Sequence, residues 1–393
     1  MQENYHFLNW KDFKRRGRNG IRSAIHNHSK KLSGLLIILN IAEIYKLYEE
    51  QIIAARQLQQ CLVIQGGNTK YFYGRRVEGG VLDTRACSGV ISYEPTELVI
   101  TAYAGTPVSQ IVNILHRHNQ MLAFEPPYYG DAATVGGMVA SGLSGPRRPY
   151  TGSVRDFVLG VKCLTGRGEI LSFGGQVMKN VAGYDVSRLM TGALGTLGLL
   201  LEISIKVLPK PEYEISLAME TDFYNALKLM NTWAGQPLPL SATCFEKNML
   251  RVRLSGKCAA VDTAVAKMDK VDIEADTQYW QRLREQNLDF FCADRRNLWR
   301  LSVPSMTPAI ELSGDWLIDW GGAQRWLKTD EPASRIREMT QQAGGHATLF
   351  RRQDNEEDIF HPLPDEMRHI QTRLKQAFDP DRIINRGRMY RDM

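Results

Sequence analysis

The chain has 393 residues, 43% of them hydrophobic and 23% charged, with a formal net charge of +6. That is enough chain for two domains with proper cores and an ordinary composition for a globular protein. A surplus this small and diffuse excludes a dedicated nucleic-acid binder while suiting an anionic cofactor or substrate. The six cysteines, at 61, 87, 163, 244, 258 and 292, show no C-x-x-C spacing. They read as buried thiols of a cytosolic protein, with no iron–sulfur or zinc site.

Residues 1–40 are strongly basic between Lys11 and Lys31 and end on the short apolar run Gly34–Ile41. A bilayer span needs about 20 apolar residues, and no small-residue cleavage site follows, so the expectation is a disordered basic extension. From Ile41 a helix is predicted, with Ile41, Ile44, Tyr48, Ile52 and Ala55 on one face and Glu43, Glu49, Glu50 and Arg56 on the other. Cys61 to Gln65 reads as a strand running into Gly66-Gly67-Asn68-Thr69-Lys70, a loop whose backbone N–H groups suit a diphosphate. It is neither a Walker A loop nor a G-x-G-x-x-G fingerprint. Val81–Thr84 and Glu97–Ala102 are strand-like, and a helix follows with Thr106 expected as N-cap and Pro107 as its first residue. His116 and His118 at its end are expected to face solvent.

Between Phe124 and Gly168 the chain carries glycines at 130, 136, 137, 142, 145 and 152. That density argues for turns rather than a helix or strand interior. The Gly136-Gly137 pair removes two Cβ atoms where backbone N–H groups can close on an anion. A hairpin is predicted across Thr165–Gly168, and glycines 192, 195 and 198 lead into a strand over Leu199–Val207. Pro209-Lys210-Pro211 reads as a domain boundary. Beyond it, helices are expected near 223–233, 259–268, 279–286 and 333–342, with strands near 250–254, 298–303, 316–320 and 346–350. A helix over Met367–Phe378 precedes the tail F-D-P-D-R-I-I-N-R-G-R.

Several motifs in this order carry a resemblance: P-x-x-x-G-x-x-A-T-V-G-G-M-V-A-x-G-x-x-G from Pro126, Y-x-G-x-V-x-D-x-V-L-G from Tyr150, T-G-R-G-E-I, and G-x-x-G-T-L-G with K-x-x-P behind it. From about Ile41 to the C-terminus the chain resembles the vanillyl-alcohol oxidase (PCMH-type) flavoprotein superfamily, and within it the FAD-binding subunits of bacterial glycolate oxidases, which are glycolate dehydrogenases. The resemblance implies an α+β fold: a PCMH-type FAD-binding domain of two α/β subdomains over 41–210, a smaller α+β cap over 211–354, and a segment over 355–393 returning to the flavin domain. It implies FAD held by Gly66, Gly67, Asn68, Thr69, Lys70, Ala133, Thr134, Gly136, Gly137, Gly142, Val154, Gly198, Ile203 and Asn385. Covalent members carry a His after the glycine pair, where this chain has Asn68, and no Cys lies between Phe124 and Ser153, so the FAD is expected to be non-covalent.

The activity implied is oxidation of glycolate within a complex containing a catalytic flavin subunit and an iron–sulfur subunit. The location implied is cytosolic, or peripheral at the inner membrane through those partners. Oxidising a 2-hydroxy acid needs a cation for the carboxylate and a base for the hydroxyl proton. His346 and Arg351 are the candidates, with Arg300 ambiguous. The paired-histidine cluster of catalytic relatives is absent, and Leu194 stands where they carry Glu. Two readings compete: a self-sufficient D-2-hydroxyacid (D-lactate) dehydrogenase, and a non-catalytic subunit using FAD as scaffold or relay.

Overall fold

The computed structural model describes residues 40–175, 185–268, 271–352 and 358–393. The basic extension, residues 176–184 and the proposed 354/355 boundary lie outside the described residues. Helix α1, Ile41–Leu58, starts on a capping box: Asn40 Oδ1 accepts the Glu43 N–H while Glu43 accepts that of Asn40. Tyr48, Ile52 and Ala55 are buried, and the Tyr48 hydroxyl donates to Asp83 O at 2.7 Å.

The next strands, β1 (Leu62–Gln65) and β2 (Gly80–Asp83), pair in parallel. On the other side of β1 the C-terminal tail joins in, Leu62 N–H donating to Ile383 O at 2.7 Å and Asn385 N–H to Leu62 O at 2.9 Å. The second sheet contains β3 (Val90–Glu94), β4 (Val99–Tyr103), and, beyond a short β5 (Gln120–Met121), β6 (Val158–Leu164), β7 (Ile170–Gly174) and β8 (Leu199–Lys206). Its order is β3-β4-β8-β6-β7, which explains the composition of β8. As the central strand it is buried on both faces, and only Glu202 and Lys206 are half-exposed. Glu202 pairs across the ladder with Lys162 at 2.6 Å.

After β9 (Leu208–Pro209) comes an eight-stranded sheet in the order β13-β10-β12-β11-β15-β16-β14-β17. Its strands are β10 (Tyr213–Glu220), β11 (Leu240–Glu246), β12 (Met249–Gly256), β13 (Asp272–Ile273), β14 (Asn297–Ser302), β15 (Asp315–Asp319), β16 (Gln324–Thr329) and β17 (His346–Arg351). Glu125 ties the glycine-rich run to this sheet: its carboxylate accepts from Arg147 Nε at 3.1 Å, within the run, and from Arg253 Nη2 of β12 at 2.8 Å. Burial pushes that carboxyl's pKa up, but the two guanidiniums overcome it and hold it below the usual range.

Three expectations are corrected. Helix α2 runs Val108–Arg117 with Pro107 as its N-cap, not Thr106. Thr106 is instead tied to Gly89, accepting its N–H at 2.9 Å and donating to its carbonyl at 3.0 Å. The cysteines are not uniformly buried, since Cys258 and Cys292 are exposed; both sit at ends of short surface helices. The run predicted as turns contains helix α3, Val135–Ser141, with the glycine pair inside its first turn. Thr134 caps it, Oγ1 accepting the Gly137 N–H at 3.2 Å, and Gly142 closes it at φ +65°.

Candidate functional site

A groove runs between β1, α3, the start of β8 and the C-terminal tail. One end is lined by the loop that follows β1. Gly67 is obligatory there, because a Cβ would lie 1.4 Å from Ala132 O. Asn68 takes a left-handed φ of +61°, a conformation Asn tolerates. The consecutive N–H groups of Gly67, Asn68 and Thr69 meet no protein acceptor among the described residues. Unspent adjacent donors on a loop form an anion nest. Val63, Ile64, Ala104, Ala140, Leu199 and Leu200 supply apolar walls.

The two glycines of α3 have different jobs. At Gly136 a Cβ would meet Ala104 Cβ at 2.8 Å and Ala104 O at 2.9 Å, and its N–H is already donated to that carbonyl at 2.7 Å. Gly136 lets the helix lie against the chain after β4. Gly137 is exposed to the groove, and a Cβ there would meet only Thr134 Oγ1, at 3.2 Å. The cradle expected of both glycines therefore belongs to Gly137 and to the loop after β1.

The tail reaches the groove through a buried ion pair. On helix α4, Asp365–Phe378, Lys375 Nζ donates to Asp379 Oδ2, Thr196 O and Ile384 O, each at 2.7 Å. Asp379 accepts in addition from the N–H groups of Ile383 and Ile384. Burial lowers the pKa of Lys375, with Asp379 opposing the shift. Beyond this anchor, Asn385 Oδ1 accepts the Ile64 N–H at 2.9 Å and Nδ2 donates to Leu194 O at 2.7 Å. Arg388, also lining the groove, donates to the carbonyls of Tyr71, Tyr73 and Arg75.

Lys70 lines the groove and stands over the Tyr129 ring at 5.7 Å, and burial lowers its pKa to about 8. Arg351, at the end of β17, lies over Phe72 at 4.1 Å and Tyr129 at 5.4 Å. Arg300 on β14 donates to the Tyr73 hydroxyl at 3.1 Å and lies over Phe350 at 5.5 Å. His346 is exposed at the start of β17; partial burial of its ring, Arg300 and His361 together lower its pKa. His361, which sequence reasoning missed, accepts the Ala347 N–H on Nδ1 at 3.4 Å. Among the described residues no group of three or more His, Cys, Asp or Glu is placed to hold a metal ion.

Known proteins place this geometry. The glycolate oxidase subunit GlcE of Escherichia coli is 48% identical over 344 residues, 88% of this chain and 97% of that protein. The chain belongs to the glycolate oxidase subunit GlcE family. Residues 49–174 match the FAD binding domain family model. The D-lactate dehydrogenase of Archaeoglobus fulgidus is 28% identical over 194 residues, 47% of this chain but only 43% of that protein. The solved structure of p-cresol methylhydroxylase with substrate bound shares the fold at a TM-score of 0.65 and 15% identity, covering 88% of this chain and 87% of that one.

The members of this family site divide into two sets. Gly66, Gly67, Asn68, Thr69, Lys70, Thr134, Gly136, Gly137, Gly198 and Asn385 line one groove. Ala133, Gly142, Val154 and Ile203 do not line it. Ala133, Val154 and Ile203 are buried in the core around the five-stranded sheet. The donors present fit FAD: a nest of three N–H groups for the pyrophosphate and apolar walls for flat rings. Among the described residues the groove lining contains no His or Cys, though Tyr71 lies there. No helix among the described residues is long and apolar enough to cross a membrane.

Proposed function

We propose that the chain is the FAD-binding subunit of a glycolate-oxidising complex, converting glycolate to glyoxylate. The observation that carries this reading is the unspent N–H nest of Gly67–Thr69 inside a groove of the GlcE family. In this reading residues 41–210 hold the flavin non-covalently, 211–354 cap it, and 355–393 return to the groove through Lys375 and Asn385. Bound FAD would supply the acceptor for the hydride leaving C2 of the hydroxy acid. The chain's own residues bind and orient: the nest takes the diphosphate, Gly137 leaves room beside it by lacking a Cβ, and Asn385 fixes β1 against Leu194. A catalytic flavin subunit and an iron–sulfur subunit complete the electron path, and any membrane contact is made through them.

The test is anaerobic mixing of the purified yellow chain with glycolate or D-lactate, following flavin bleaching. Bleaching that needs the partner subunits supports the reading. Rapid bleaching by the chain alone makes it a self-sufficient dehydrogenase with His346 as leading base. No bleaching even in the assembled complex makes its flavin a scaffold or relay.

A further inference from the structure

Buried arginines in this fold are normally matched. Arg147 and Arg253 share the Glu125 carboxylate, and Arg251 meets Glu274 at 2.5 Å. Arg388 spends its donors on three carbonyls. Arg300 and Arg351 break the pattern. Among the described residues each makes one polar contact, Arg300 Nη2 to the Tyr73 hydroxyl and Arg351 Nε to Gln286 Oε1, both at 3.1 Å. Their other N–H groups have no acceptor there. The adjacent carboxylate, Glu285, is already engaged by the backbone N–H groups of Tyr128 and Tyr129 and by Arg284. Arg300 and Arg351 thus form a partly buried positive pair without a counter-ion among the described residues, a costly arrangement unless an anion joins it, whereas neighbouring Lys70 feels the Glu285 carboxylate and donates to Tyr128 O at 3.3 Å.

A second, independent observation points the same way. Gln286 is 5% exposed, yet its Nε2 has no hydrogen-bond partner, and such orphans call for an explanation. Its amide orientation is forced, because arginine only donates and Oε1 must therefore face Arg351. That leaves Nε2 as a buried donor beside the unspent guanidinium. The Tyr129 hydroxyl likewise has no partner among the described residues. Burial pushes its phenol pKa up against the pull of Arg351 and Arg300. Phe72, Tyr73 and Phe350 form apolar walls around the cluster. It adjoins the groove, since Lys70 lines that groove and Tyr73 packs in one core with the groove residue Leu194.

We infer that Arg300, Arg351, the Tyr129 hydroxyl and Gln286 Nε2 form a binding site for one small carboxylate, a 2-hydroxy acid or its 2-oxo product. The inference rests on the function proposed above and deepens it by placing the acid in this chain rather than in a partner. Two guanidiniums and an amide donor suit the fork of a carboxylate, and the aromatic walls suit a short carbon skeleton beside it. Only binding is assigned to these residues, so the site is independent of turnover.

The experiment is calorimetric titration of the FAD-loaded full chain with oxalate, a small carboxylate that the flavin cannot oxidise, in chloride-free buffer. Saturable binding is expected. Arg351→Gln and Arg300→Gln should each weaken it about 10- to 100-fold, and Tyr129→Phe, which keeps the ring stacking, about 3- to 10-fold. Arg335→Gln, at an exposed helix position paired with Glu331, should leave it unchanged. If a glutamine variant fails to hold flavin, Arg351→Lys and Tyr129→Phe decide. Oxalate affinity equal in those variants and the parent, or no binding to the flavin-loaded parent, overturns the inference while leaving the flavin reading intact. A chain that never holds flavin sinks the flavin reading instead.

Discussion

Gly136 and Gly137 are adjacent, chemically identical and in one helical turn, so adding a methyl at each separates packing from cofactor binding. In Gly136→Ala the new Cβ meets Ala104 Cβ at 2.8 Å and Ala104 O at 2.9 Å, the latter backbone and unable to swing aside. Overpacking of this kind costs about 1–3 kcal/mol. Stretching the 2.7 Å bond from Gly136 N–H to Ala104 O removes about 1 kcal/mol more. The better helix propensity of alanine returns about 1 kcal/mol. The net is a loss of about 1–3 kcal/mol, a Tm fall of about 2–12 °C for a large domain. In Gly137→Ala the methyl meets only Thr134 Oγ1 at 3.2 Å, so propensity dominates and Tm should hold or rise slightly. Gly137→Val, with more bulk facing the groove, should purify folded but with flavin affinity at least about tenfold lower. The assay pairs thermal unfolding with the flavin-to-protein absorbance ratio of each variant. A Gly136→Ala protein with parental Tm refutes the packing argument. Full flavin occupancy in Gly137→Val refutes the groove argument.

Three further outcomes are expected. Acid precipitation should release all flavin into the supernatant, because Asn68 stands where covalent members carry His and the described groove residues include no His or Cys; yellow colour left in the pellet would refute this. Lys375→Met should strip the partner from Asp379, which is fully buried, and cost about 3–5 kcal/mol, read as a Tm fall and as faster proteolysis beyond residue 378. Asp319 is buried, and desolvation raises its carboxyl pKa to about 7 despite bonds from Trp320 N–H and Gln324. Its folded pKa lies above the unfolded value, so the folded state holds the proton more tightly. Its contribution to stability is present below about pH 4 and is lost as pH rises to about 7, at up to about 1.4 kcal/mol per pH unit. Asp319→Asn should flatten that part of the Tm–pH profile, and an unchanged slope would show that the proton is held elsewhere.

The order of elements was legible wherever one face of a segment is buried. The periodicity of Tyr48, Ile52 and Ala55 gave α1, and the pattern after Pro211 gave four helices and four strands of the eight-stranded sheet. Strands β10, β11, β16 and the two-residue β13 were missed. β11 and β16 are buried along nearly their whole length, so alternation, the signal a sequence offers, is absent there. Helix α3 was missed because glycine density argues against helix on propensity alone. Gly136 is required there by its contact with Ala104, a residue distant in sequence.

The site shows the same division. Gly66–Lys70 and Thr134–Gly137 announce themselves because backbone conformation and missing Cβ atoms are local properties. The tertiary structure alone decided that Gly136 packs while Gly137 faces the groove, for the two differ only in what stands opposite them. It alone brought Lys375 to Asp379 and Thr196, and Asn385 to Ile64. Arg300, Arg351, Tyr129 and Gln286 lie on separate elements, and nothing in their sequence neighbourhoods tells a matched guanidinium from an unmatched one. Local chemistry fixes which residues are able to make a contact; whether a partner is present is a property of the packed chain.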